Sequence, residues 1–491
     1  MATKMLRTAL DTLPAGTVDD QIQNDKIVDK DFPEGITQRQ LSMDLVRIAW
    51  PSFIELVLTQ LTSMADQVMV GRLPGQEGIQ ALSAVGLASQ PKFLLMAMII
   101  ALNVGATAMI ARFRGQQDRH RANVAFKMAF VVNLGLGIIF SILGVIFAEP
   151  LIRFMSGTGT ITQETLQQGT AYLTIQMVGF IPLMLCFTIT AALRGVGDTK
   201  TPMIYNTIAN VVNLIFNYIM IYGHFGFSKM GVIGASWATI IGQTAAFVLA
   251  MYVCLNKSHY IFLDFKSKFE FDMDTFRKMV SIGIPSMIEQ LFMRGGIIVY
   301  TRIVASLGDT LYATHNIVMG IQSMSFMVGQ AFGNAATTMM GQCIGKVRYD
   351  MAKKYISTTR KLGIGVSFIL MALLIGFNKQ IMALYNSDPE VIRVGADILW
   401  LLAFTQPFQA DQFVVSGGLR GAGDTMYTAI VILVTIVGVR VVLAILLINV
   451  FNMGLMGAWI ALAADQLVRT FLMAIRYYSE RWVKISLARS A

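Results

Sequence analysis

The stretch TAIVILVTIVGVRVVLAILLINV, from Thr428 to Val450, carries a single charged residue, Arg440. About 20 apolar residues suffice to cross roughly 30 Å of hydrocarbon as a helix, and runs of this kind recur along almost the whole chain. Lipid gives the backbone no hydrogen-bond partners, so each run must satisfy its own N–H and C=O groups. The alternation expected of a membrane barrel is missing from these runs, which leaves helices. The 491 residues are 55% hydrophobic and 14% charged, with a mean hydropathy of +0.60, too oily for an ordinary soluble domain. Hydropathy predicts about twelve spans, near 44–71, 79–112, 124–147, 164–191, 199–222, 231–254, 273–306, 311–343, 354–376, 390–416, 426–449 and 453–478.

The net charge of +10 reports topology rather than a nucleic-acid partner. Basic residues gather at alternate connections: Arg112, Arg114, Arg119 and Arg121; Lys257, Lys266, Lys268, Arg277 and Lys278; Lys346, Arg348, Lys353, Lys354, Arg360 and Lys361; Arg476, Arg481, Lys484 and Arg489. That is the positive-inside pattern, and it predicts both termini in the cytoplasm of a multi-pass protein of the cell inner (plasma) membrane. Cys186, Cys254 and Cys343 show no pairing or metal spacing and read as small core residues. The first residues lack the apolar core of a signal peptide and read as a cytoplasmic tail.

The chain is written twice. LRGVGDTKTP at Leu193–Pro202 returns as LRGAGDTMYT at Leu419–Thr428, AWPSFIEL as GIPSMIEQ, and GVIGASWATIIGQ as GLMGAWIALAADQ, in the same order. The second pair aligns Pro51 with Pro285 and Glu55 with Glu289. Two halves of six spans begin on the same side of the membrane, so they are parallel repeats, the architecture of a transporter. The expected fold is all-α and integral to the membrane: twelve transmembrane helices in two pseudo-twofold-related six-helix bundles around a central cleft. The expected division is a tail at 1–42, an N-terminal lobe at 43–256, a cytoplasmic linker at 257–272, a C-terminal lobe at 273–478 and a tail at 479–491. Read locally, the duplicated loop is a capped turn, with glycines ending one helix and Asp198-Thr199 or Asp424-Thr425 starting the next.

With LRGxGDT closing the fourth span of each half, MADQVMVGRLP ending the first span, NLIFNY in the fifth and GASWATII in the sixth, the chain resembles the multidrug and toxic compound extrusion (MATE) family from about residue 40 to 480. The resemblance implies export of bulky cationic or amphipathic organic molecules in exchange for inward H+ or Na+, with no other cofactor. It also implies a cation-coupling site in the N-terminal half at Asp66, Asn213, Asn217 and Thr239, where the Asn217 position is acidic in some members.

The residues support such a site on their own chemistry. A charged Asp in mid-membrane costs about 2.5–3.5 kcal/mol, so Asp66 must find partners, face a cavity or bind a proton. Asn213 and Asn217 share one helix face, and a carboxylate with amide and hydroxyl oxygens suits a small cation. The only metal expected is Na+ at Asp66. Glu55, Glu289 and Asp411 are further candidates for substrate or proton handling, against a structural reading in which they bond neighbouring helices. Where one branch of the family carries a glutamate a turn after Glu289, this chain has Met293. Arg440, paired with Asp411 or Asp465, reads as a lock that neutralises interior charge. Arg294, Arg302 and Arg469 are further charged residues within the C-terminal spans.

No nucleophile–base set or Walker loop is present, which argues against an enzyme or an ATP-driven pump. The alternative function is a lipid-linked oligosaccharide flippase of related architecture, which would need several cationic residues for pyrophosphate. The expected partners are small organic substrates and the bilayer, with no nucleic acid and a monomeric state.

Overall fold

The computed structural model describes residues 38–74, 76–156, 162–264, 269–385 and 388–488. Most of the expected N-terminal tail, the middle of the linker and the last three residues lie outside them. Helices follow one another in the order α1 (Gln38–Gly71), α2 (Gln76–Gly115), α3 (Arg119–Ile146), α4 (Ala148–Ser156), α5 (Gln163–Val178), α6 (Phe180–Gly195), α7 (Lys200–Tyr222) and α8 (Gly231–Leu255). Then come α9 (Met273–Ala305), α10 (Asp309–Gly345), α11 (Tyr349–Gly376), α12 (Asn378–Tyr385), α13 (Pro389–Ala422), α14 (Thr425–Leu433), a π-helical segment (Val434–Val441), α15 (Val442–Asn449), α16 (Gly454–Tyr478) and α17 (Arg481–Ala488).

The twelve expected spans are α1, α2, α3, α5 with α6, α7, α8, α9, α10, α11, α13, α14 through α15, and α16. Among the described residues nine helices are long and apolar enough to cross a membrane, and α5 with α6, bent by 49°, makes a tenth. The other two, α1 and α10, are long but polar, carrying Glu55, Gln60 and Asp66 in one and His315, Asn316 and Gln322 in the other. Aliphatic side chains such as Ile138, Ile142 and Val145 of α3 are exposed, as expected of faces that meet lipid.

Two compact units emerge. The first holds Trp50–Ile110 and Arg119–Gly283; the second holds the described residues up to Ala49, Ala111–Asp118 and those from Ile284 onward. Both α1 and α9 thus change unit just before an internal proline, Pro51 and Pro285. A proline within a helix removes one backbone hydrogen bond and crowds the preceding turn, so each is a natural bend point.

Ile99, Leu173, Met177, Phe180 and Met184 form one core of the first unit, and Val70, Leu73, Ile221 and Val232 a second. In the second unit Tyr300, Val318, Leu399 and Trp459 fill one core, while Leu41 and Leu45 of α1 join Ile356, Leu419 and Trp482 in another. Trp482 is fully buried, its Nε1 donating to the Tyr477 carbonyl at 3.1 Å, so α17 folds back onto α16. All three cysteines are buried and unpaired, as small core residues should be.

The duplicated loop forms the same turn twice. Gly197 and Gly423 sit at φ 91° and 88°, where a β-carbon would be strained, and Asp198 N and Asp424 N donate to the Leu193 and Leu419 carbonyls at 2.9 and 2.8 Å. The copies differ in how the aspartate side chain is used. Asp198 caps α7 by accepting from Thr201 N at 3.0 Å, as expected, whereas Asp424 makes no side-chain cap and accepts from Arg476 Nε at 2.6 Å. A nearby guanidinium outbids a backbone amide for a carboxylate.

Candidate functional site

Asp66 lies half-buried near the C-terminal end of α1, within the first unit. Asn217 Nδ2 of α7 donates to its Oδ1 at 2.5 Å. With its amide turned to suit its neighbours, Asn213 also donates to Asp66 Oδ1, at 3.0 Å, and its oxygen faces Thr239 N at 3.3 Å. Asn213 and Asn217 are both buried, one turn apart on the same face of α7, and Gly242 of α8 packs against Asn213 so closely that a β-carbon there would meet it at 2.9 Å. The Thr239 hydroxyl donates to its own helix, to Ala235 O at 2.9 Å. Three of the four expected site residues therefore meet at one carboxylate, and Thr239 borders them through its backbone.

Lys92, which sequence reasoning missed, belongs to this site. It follows Pro91 in α2, donates from Nζ to Gln176 Oε1 at 2.5 Å, and lies within electrostatic range of Asp66 without forming an ion pair with it. Gln176 in turn donates to Ser236 Oγ at 3.1 Å, and Ser236 to Tyr172 O at 3.1 Å. A lysine inside an apolar run is as costly as an aspartate there, and that cost was the available signal.

Glu55 and Glu289 are locked rather than free. Arg194 Nη2 donates to Glu55 Oε2 at 2.8 Å and Asn206 Nδ2 to Oε1 at 2.7 Å. In the second unit, Arg420 bonds Glu289 and the Thr428 hydroxyl donates to its other oxygen at 2.9 Å. The arginine of each LRGxGDT copy thus holds the glutamate four residues after each helix proline. In both copies the loop and PxxxE thus each supply one half of an ion pair.

Asp411 is gripped by Arg360, with Nε at 2.5 Å and Nη2 at 2.9 Å from its two oxygens, and so is not the partner of Arg440. Arg440 bonds Asp465 instead, which also accepts from Arg469 Nη2 at 2.6 Å. Among the described residues no cluster of His, Cys, Asp and Glu could hold a metal ion.

Long apolar helices enclosing a few polar and charged side chains define a multi-pass membrane transporter fold. Residues 51–219 and 285–446 match the MatE family, and the chain belongs to that family. It is 27% identical over 446 residues to the probable multidrug resistance protein NorM of Thermotoga maritima, covering 91% of this chain and 94% of that one. It is also 27% identical to the multidrug resistance protein PmpM of Pseudomonas aeruginosa, over 81% and 82% of the two chains. The fold matches an outward-facing multidrug resistance MATE family transporter of the MOP superfamily, with a TM-score of 0.82 at 20% identity over 92% and 97% of the chains.

Proposed function

We propose that the protein is a secondary antiporter that exports amphipathic or cationic organic compounds in exchange for inward H+ or Na+. The observation that carries this reading is Asp66, a carboxylate in a membrane-crossing helix held by two amides and bonded to no fixed cation. Amides orient a carboxylate without cancelling its charge, which leaves it free to take and release a small cation. Relatives named for multidrug resistance support the substrate class. The protein lies in the plasma membrane with both termini cytoplasmic, as the distribution of basic residues suggests, and nothing in this mechanism requires more than a monomer.

The test is dye efflux from proteoliposomes, with a sodium gradient and a proton gradient imposed separately. One gradient should drive a cationic dye, and Asp66→Asn, which keeps the hydrogen bonds but loses the charge, should abolish the driven component. Unchanged driven efflux in Asp66→Asn would remove the coupling role.

A further inference from the structure

The C-terminal half contains a counterpart of the Asp66 site with its charge reversed. Gly231 and Gly454 open α8 and α16 with matching left-handed φ of 53° and 55°. Eleven residues on stand Gly242 and Asp465. A β-carbon on Gly234 would meet Met220, and one on Gly457 would meet Leu447, so these positions correspond. Seven residues before Met220 is Asn213, and seven before Leu447 is Arg440. From the duplicated Asp198 and Asp424, Arg440 is one residue further along than Asn213, and the π-helical segment Val434–Val441 absorbs that residue. Asp66 stands fifteen residues after Pro51, and Tyr300 fifteen after Pro285. Where the first unit has a carboxylate under an amide, the second has a tyrosine ring 5.7 Å from the guanidinium of Arg440.

The charges at this second location do not balance. Arg440 directs Nε and Nη2 at Asp465 Oδ2, and Arg469 directs Nη2 at both Asp465 oxygens and Nε at Thr435 Oγ1, 3.1 Å away. Two guanidiniums share one carboxylate. Glu289 is within electrostatic reach of Arg469 but is already bonded to Arg420 and Thr428. The Arg440 and Arg469 side chains are only 8% and 7% exposed, and the Nη1 of each makes no hydrogen bond among the described residues. A surplus positive charge on side chains so little exposed favours a counter-charge that comes and goes.

We propose that Arg440 and Arg469, poised on Asp465, form a binding site for a monovalent anion, either the carboxylate or sulfonate of an organic cargo or a free halide. The two unused Nη1 groups are its donors and Thr435 borders it. The exporter reading enters only in assigning the anion to a cargo; binding itself needs no gradient and no dye.

The experiment is thermal unfolding of the purified full-length protein in detergent, titrated with benzoate or with chloride against gluconate. Saturable stabilisation by benzoate assigns the site to an organic anion, and by chloride alone to a free ion. Arg469→Met leaves a neutral Arg440–Asp465 pair, so the variant should fold and lose at least tenfold in anion affinity; Arg469→Lys, which keeps charge but not the planar fork, should fall between. No saturable effect of either anion on the wild type, or one that persists in both variants, overturns the site. Dye export that fails while anion binding survives would instead remove only the antiporter reading.

Discussion

Asp66 was visible in the sequence because its cost in a membrane helix demanded an explanation, and the asparagines of α7 were readable as one helix face. Lys92 carried the same signal. Its reach toward Asp66, however, depends on how α2 packs beside α1, which hydropathy does not encode. On the antiporter reading proposed above, the lysine would set how readily Asp66 takes a cation, since a fixed positive charge within electrostatic range costs an incoming ion on the order of 1–2 kcal/mol at an effective dielectric near 20. Lys92→Met is therefore expected to lower the cation concentration for half-maximal dye efflux, on the order of tenfold, while Asp66→Asn shows no dependence on it. An unchanged half-maximal concentration would separate Lys92 from the coupling site.

Among the elements, helix ends were largely legible and internal departures were not. Gly197, Gly423 and Asp198 do what their residue types predict, but the π-helical turn at Val434–Val441 has no local signature and shows only when the two halves are placed in register. Asp424 departs from the capping expectation because Arg476, distant in sequence, reaches it first. The start of α9 offers a pH test. Asp272 accepts from Thr275 Oγ1 at 2.6 Å, from Asp274 N at 3.0 Å and from Thr275 N at 3.3 Å, and these bonds, the hydroxyl's foremost, hold its carboxyl below the usual 3.8. A depressed folded-state value means the cap contributes above the ordinary carboxylate range and is lost as pH falls through the lower value. Amide exchange at Asp274 and Thr275 should therefore accelerate, relative to neighbouring amides, only below about pH 4, and Asp272→Asn should remove that step while retaining a cap.

At the scale of the molecule, duplication was readable in full, but the work divided between the copies was not. Both halves kept the proline, the glutamate and the loop arginine, and the two ion pairs they form are alike. Glu289→Leu leaves Arg420 partly buried without its carboxylate, a change expected to cost about 3 kcal/mol, and Glu55→Leu should cost a similar amount through Arg194. The double variant Glu289→Leu with Arg420→Leu should recover most of the loss in thermal unfolding. A double variant no more stable than Glu289→Leu would show that the arginine does something besides pairing. What diverged lies deeper, where one copy holds Asp66 under amides and the other holds Asp465 under two guanidiniums. The π-helical turn makes that divergence a matter of length as well as chemistry. Deleting one residue between Val434 and Val439 would restore an ordinary helix and give Arg440 the spacing from Asp424 that Asn213 keeps from Asp198, so the arginine should keep its bond to Asp465 once the wide turn is gone.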